Sequence, residues 1–84
     1  MKLIAKITLK ALHTKGKGVL KIYRTKKHNY KYIYKEKGWT DKATYTKKDI
    51  KECEYYKKIT KNKSVNFLIA SGALEENLIN IKLY

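Results

Sequence analysis

The sequence predicts an α+β fold: a mainly antiparallel sheet of about five to six strands, in the order βββ(β)αββ, with one helix around residues 47–60. Three observations lead there. Eighty-four residues make one small domain, spanning 1–84. Apolar and polar residues alternate through most of the first 45 positions, the period of a half-buried strand. After Thr46 the spacing becomes that of a helix, opened by a capping pattern.

The opening strand places Leu3, Ala5, Ile7, Leu9 and Ala11 on one face and Lys2, Lys6, Thr8 and Lys10 on the other. Lys15-Gly16-Lys17-Gly18 is a turn, because two glycines accept positive φ without a Cβ clash. Val19 to Thr25 is the second strand, Lys26 to Asn29 a polar turn and Tyr30 to Glu36 the third strand. Gly38 interrupts, and Thr40 to Tyr45 adds a short fourth.

Thr46 is the expected helix N-cap, with Asp49 three residues on, where a carboxylate reaches back to the cap. Ile50, Cys53, Tyr56 and Ile59, with Tyr55 at the margin, form one apolar stripe that carries the helix to about Thr60. Lys57, Lys58 and Lys61 complement the macrodipole near its end, and Asn62-Lys63 closes it. Val65, Phe67 and Ile69 then alternate with Ser64, Asn66 and Leu68, which reads as a strand buried on most of both faces. Ser71-Gly72 is a turn, Ala73 to Asn77 has room for one helical turn, and Ile79, Ile81 and Leu83 alternate in a last strand.

The chain carries 21 basic and 7 acidic side chains, a net +14, and all but one of the basic residues are lysine. Lys, Ile, Asn and Tyr are abundant and Pro and Gln are absent, a composition that AT-rich codons favour, as in a low-GC bacterium or its phage. Codon drift does not account for so few acids, and a net charge of this size repels itself. The charge is also uneven: residues 1–63 carry +15 and residues 64–84 carry −1. The basic surface belongs to a sheet–helix body, and the near-neutral closing strands belong to the core and an interaction edge.

Several classes are excluded or disfavoured. No stretch approaches the length of uncharged apolar residues needed to span a membrane, and Lys6 and Lys10 interrupt the apolar opening before it reads as a signal peptide. Cys53 is alone, which excludes a disulfide scaffold and suits a reducing, cytoplasmic location. His13 and His28 lie in or beside turns without Cys or carboxylate at ligand spacing, and Cys53 falls on the apolar helix stripe as an inert thiol. Glu52 and Glu54 point to different sides of the helix, and Glu75 and Glu76 are adjacent without a shared task. No catalytic residue, metal site or cofactor is assigned. Gly16-Lys17-Gly18 joins two strands, so it reads as a hairpin turn rather than a phosphate loop, which would lead into a helix.

The feature that points to function is the hairpin from Val19 to Lys37, where Lys21, Arg24, Lys26, Lys27, Lys31, Lys35 and Lys37 interleave with Tyr23, Tyr30, Tyr32 and Tyr34. Basic side chains neutralise phosphates and tyrosine rings stack on unpaired bases. The parity of the connecting loop decides how these residues divide. An even loop puts Tyr23 with Tyr30, Tyr32 and Tyr34 in an exposed aromatic platform. An odd loop adds Leu20 and Ile22 to the tyrosine stripe as core and turns Lys21, Lys31 and Lys35 outward around Tyr23 and Ile33. The odd arrangement segregates charge better and is the expectation; on it lysine binds and most tyrosines are packing.

Tyr30-Lys31-Tyr32-Ile33-Tyr34-Lys35-Glu36, then Gly38, then Thr46-Lys47-Lys48 opening a helix, resembles the arm-type DNA-binding domain of tyrosine recombinases over residues 30–58, about a third of the chain. That resemblance implies a three-stranded sheet against one helix, with the sheet entering the DNA major groove. The long first strand and the closing strands have no counterpart in it.

The resulting expectation is a non-enzymatic basic protein that binds nucleic acid or another polyanion with low sequence specificity. Its candidate contacts are Lys15, Lys17, Lys21, Arg24, Lys26, Lys27, Tyr30, Lys31, Tyr32, Tyr34 and Lys35. The alternatives are a phage or viral structural or assembly protein, virion-associated, or an inhibitor that docks on an acidic partner. In the first, strand 79–84 would pair with other protein subunits, with Lys82 guarding that edge.

Overall fold

The structure is a computed structural model that describes residues 1–25, 29–52, 61–70 and 74–84. Its elements in chain order are β1 (Lys2–Lys10), β2 (Lys17–Arg24), β3 (Tyr30–Glu36), β4 (Trp39–Tyr45), α1 (Lys47–Glu52), α2 (Lys63–Ala70), α3 (Leu74–Asn77) and β5 (Leu78–Leu83). The strands form one antiparallel sheet in the order β4-β3-β2-β1-β5. Four consecutive strands form a meander, α1, α2 and α3 follow among the described residues, and β5 returns along the far side of β1. The α+β class and the antiparallel sheet are those the alternation predicts.

One element differs. Residues 64–69, expected as a strand, lie in the helix α2. Asn62, expected to end the preceding helix, begins this one: its Oδ1 accepts the N–H of Ser64 at 2.9 Å and of Val65 at 3.4 Å. The first helical bond runs from Asn66 N–H to the Asn62 carbonyl at 3.1 Å. Ser64, Val65 and Asn66 are buried side by side, polar with apolar, so these three do not mark a helical period, and a short run of that kind fits strand or helix equally well.

The cap expected at Thr46 is present in both directions. Thr46 N–H donates to Asp49 Oδ2 at 2.8 Å and Asp49 N–H donates to Thr46 Oγ1 at 3.1 Å. These bonds hold the Asp49 carboxyl below the usual range. The continuation of that helix through Cys53, Tyr55, Tyr56, Lys57, Lys58, Ile59 and Thr60, the turn Ser71-Gly72, and Lys26, Lys27 and His28 lie outside the described residues.

The core lies between one face of the sheet and α2. Ala5, Ile7 and Leu9 of β1, Leu20 and Ile22 of β2, and Tyr32 and Tyr34 of β3 meet Val65 of α2. The Tyr32 hydroxyl donates to the Ser64 carbonyl at 2.9 Å, which ties the sheet to the first turn of α2. The Tyr45 ring sits 5.2 Å from that of Tyr32 and 5.0 Å from that of Phe67. Burial, reinforced by Tyr45 and Tyr30, pushes the Tyr32 hydroxyl far above its usual range.

Candidate functional site

The loop from Thr25 to Asn29 has odd length, closed by Thr25 N–H donating to the Asn29 carbonyl at 2.9 Å. It sets the register Leu20↔Tyr34, Ile22↔Tyr32 and Arg24↔Tyr30 on one side of the sheet. Val19↔Lys35, Lys21↔Ile33 and Tyr23↔Lys31 fall on the other. This is the odd arrangement, with tyrosine inward and lysine outward. Tyr32 and Tyr34 are 2% and 7% exposed, so neither offers a ring face to a ligand, and Tyr30 is half-buried against the same core.

Directly paired residues project to the same side of a sheet, so the register maps the outward face row by row. One row reads Lys82, Lys6, Lys21, Ile33, Lys42 from β5 across to β4. A second reads Asn80, Thr8, Val19, Lys35, Thr40, and a third Leu3, Tyr23, Lys31, Thr44. Lys10 and Lys17 pair beyond them. Among the described residues the strand positions of this face carry Lys6, Lys10, Lys17, Lys21, Lys31, Lys35, Lys42 and Lys82 and no acidic residue. Glu36 and Asp41 belong to the helix-covered side, and Asp49, Glu52, Glu75 and Glu76 lie in helices.

Of the sequence-predicted contacts, Lys17, Lys21, Lys31 and Lys35 therefore share the open face. Lys15 is exposed in the β1–β2 loop, and Arg24 ends β2 with the parity of the core. Lys6, Lys10, Lys42, Lys82 and Tyr23 belong to the face and were not among the predicted contacts. The alternation of β1 already put Lys6 and Lys10 on one side. No local signal shows that β5 lies next to β1 and brings Lys82 beside Lys6.

The middle of the face is hollow. A concavity of about 410 Å³ is lined by Lys6, Val19, Lys21, Tyr23, Ile33 and Lys35, with Glu36 at its end. The Glu36 carboxylate is turned to the β1–β2 loop, where it accepts His13 N–H at 2.9 Å, Thr14 N–H at 3.0 Å and the Thr14 hydroxyl at 2.6 Å. Desolvation pushes this carboxyl up, but the hydrogen bonds outweigh it and hold the group below its usual range. Beside this loop the exposed Trp39 ring stacks on His13 at 4.5 Å.

Among the described residues no three of His, Cys, Asp and Glu gather as metal ligands, and no helix is long and apolar enough to cross a membrane. The sheet also departs from what the tyrosine-recombinase resemblance implies. Among the described residues, 30–52 supply two strands, β3 and β4, of a five-stranded sheet. No family model, curated protein or solved structure matches the chain.

Proposed function

We propose that the chain is a nucleic-acid-binding module without catalytic activity, and that the open face of its sheet is the binding surface. One observation carries the reading: Lys82, Lys6 and Lys21 stand side by side on three adjacent strands, on a face with no acidic residue at its described strand positions, and Glu36, at the end of the hollow, has its carboxylate bound by the β1–β2 loop. Strands lie about 4.8 Å apart, and like charges directly opposite one another destabilise a sheet, by about a few tenths of a kcal/mol per pair. A phosphate backbone laid across the row removes that repulsion and releases counterions. Binding by lysine is sequence-tolerant, because lysine is a point charge without the planar fork that reads guanine.

A fluorescence-anisotropy titration over salt, with single- and double-stranded DNA, RNA and polyglutamate, tests the reading. Nucleic-acid affinity should fall steeply as salt rises. A shallow dependence, or equal binding to polyglutamate, would count against it, the latter in favour of an acidic protein partner. The second reading, assembly with other subunits, rests on β5, an edge of the sheet with Ile79, Leu83 and Tyr84 exposed. Light scattering on nucleic-acid-free protein separates the two, since a clean monomer removes self-assembly.

A further inference from the structure

We infer that the open face prefers single-stranded nucleic acid to duplex, with an unpaired base seated in the hollow on Tyr23; this rests on the reading of the face as a nucleic-acid surface. The hollow is not a uniform bed of charge. Across β2 and β3 the pairs Val19–Lys35, Lys21–Ile33 and Tyr23–Lys31 alternate like a checkerboard, so each apolar side chain is diagonal to the next. Val19, Ile33 and Tyr23 thus line an apolar strip, with Lys6, Lys21 and Lys35 beside it. Its volume of about 410 Å³ falls within the range of small-ligand sites.

That combination suits a flat apolar ring joined to phosphates. An unpaired nucleotide offers both, whereas a duplex keeps its base faces stacked inside and presents only phosphates and edges. The width of the sheet points the same way. The major groove is about 12 Å wide and admits a helix or a two-stranded ribbon. Five strands at about 4.8 Å spacing span roughly 19 Å between the outer two, so this face cannot enter the groove. A single strand can lie across it, with Tyr84, 56% exposed and 5.1 Å from the Lys82 ammonium, as a second ring beyond the row.

The test compares a mixed-sequence single-stranded DNA, the matching RNA and the duplex at one salt concentration, with wild type, Tyr23→Ala and Tyr23→Phe. The expected result is tighter binding of one or both single strands than of duplex. Tyr23→Ala should weaken single-strand binding about tenfold and leave duplex binding and the salt slope unchanged. Tyr23→Phe should retain the wild-type affinity, because the ring and not the hydroxyl stacks. Should Tyr23→Ala fold poorly, Tyr23→Thr removes the ring while keeping strand propensity. Duplex binding equal to or tighter than single-strand binding, or a folded ring-less variant with unchanged affinity, would overturn the inference while a steep salt slope left the polyanion reading intact. A shallow slope for every nucleic acid would defeat both.

Discussion

Tyr23 and Tyr32 have opposite fates, and the difference comes from the parity of one loop. Both lie in alternating Lys/Tyr stretches, yet Tyr32 is buried and hydrogen-bonded to Ser64 whereas Tyr23 lines the open hollow. Tyr32→Phe should lower stability by about 1 kcal/mol through the loss of that bond, read as a shift in the urea midpoint, and leave binding unchanged. Gly18 is constrained for a reason the sequence hides. A Cβ there would overlap the Tyr34 hydroxyl and ring, so its role is close approach, whereas Gly16 supplies the positive φ of 111° that the turn requires. Gly18→Ala should cost about 1–3 kcal/mol, the usual range for overpacking. Glu36 and Asp49 make stability depend on acid pH. Both carboxyls titrate below their usual values in the folded chain, so they add stability above the unfolded-state value of about 4, and that stability is lost as pH falls through the lower folded values. Equilibrium unfolding followed across acid pH should show this loss, and Glu36→Gln should reduce it.

At the scale of the element, the sequence is clearest where side chains alternate between water and core. The strands β1 to β3 and the Thr46–Asp49 cap are legible because buried positions recur at every second residue from Ala5 to Leu9, Leu20 to Ile22 and Tyr32 to Glu36, or because a reciprocal pair of hydrogen bonds is written in the residue types. The register shift between Leu3 and Ala5, which turns Leu3 to the open side with Tyr23, is not legible. Nor is the segment α2, because Ser64 and Asn66 are buried on either side of Val65, and polar residues flanking an apolar one imitate the alternation of a strand. What defines it is Asn62, a cap that also resembles a helix terminator. Asn62→Ala should therefore cost about 1 kcal/mol in thermal or chemical unfolding and reduce helical circular dichroism. A strand at 64–69 would make the same substitution nearly neutral.

For the whole molecule, the position of β5 turns a basic chain into a basic face. Its antiparallel return beside β1 joins distant parts of the sequence, so composition could indicate the charge but not the row Lys82, Lys6, Lys21. The hairpin lysines Lys21, Lys31 and Lys35 were legible because loop parity alone decides their side. The face also predicts opposed effects on stability and binding. Lys6→Gln should raise stability slightly at low salt, by about a few tenths of a kcal/mol, while weakening nucleic-acid binding. The most direct measurement compares two triple variants of equal charge: Lys6→Gln, Lys21→Gln, Lys82→Gln on the open face, and Lys47→Gln, Lys51→Gln, Lys63→Gln on the helices. The logarithmic salt slope for single-stranded DNA should become shallower by about 2 in the first, roughly 0.7 for each phosphate no longer neutralised, and change little in the second. Equal changes in the two would show that total charge, and not this face, governs binding.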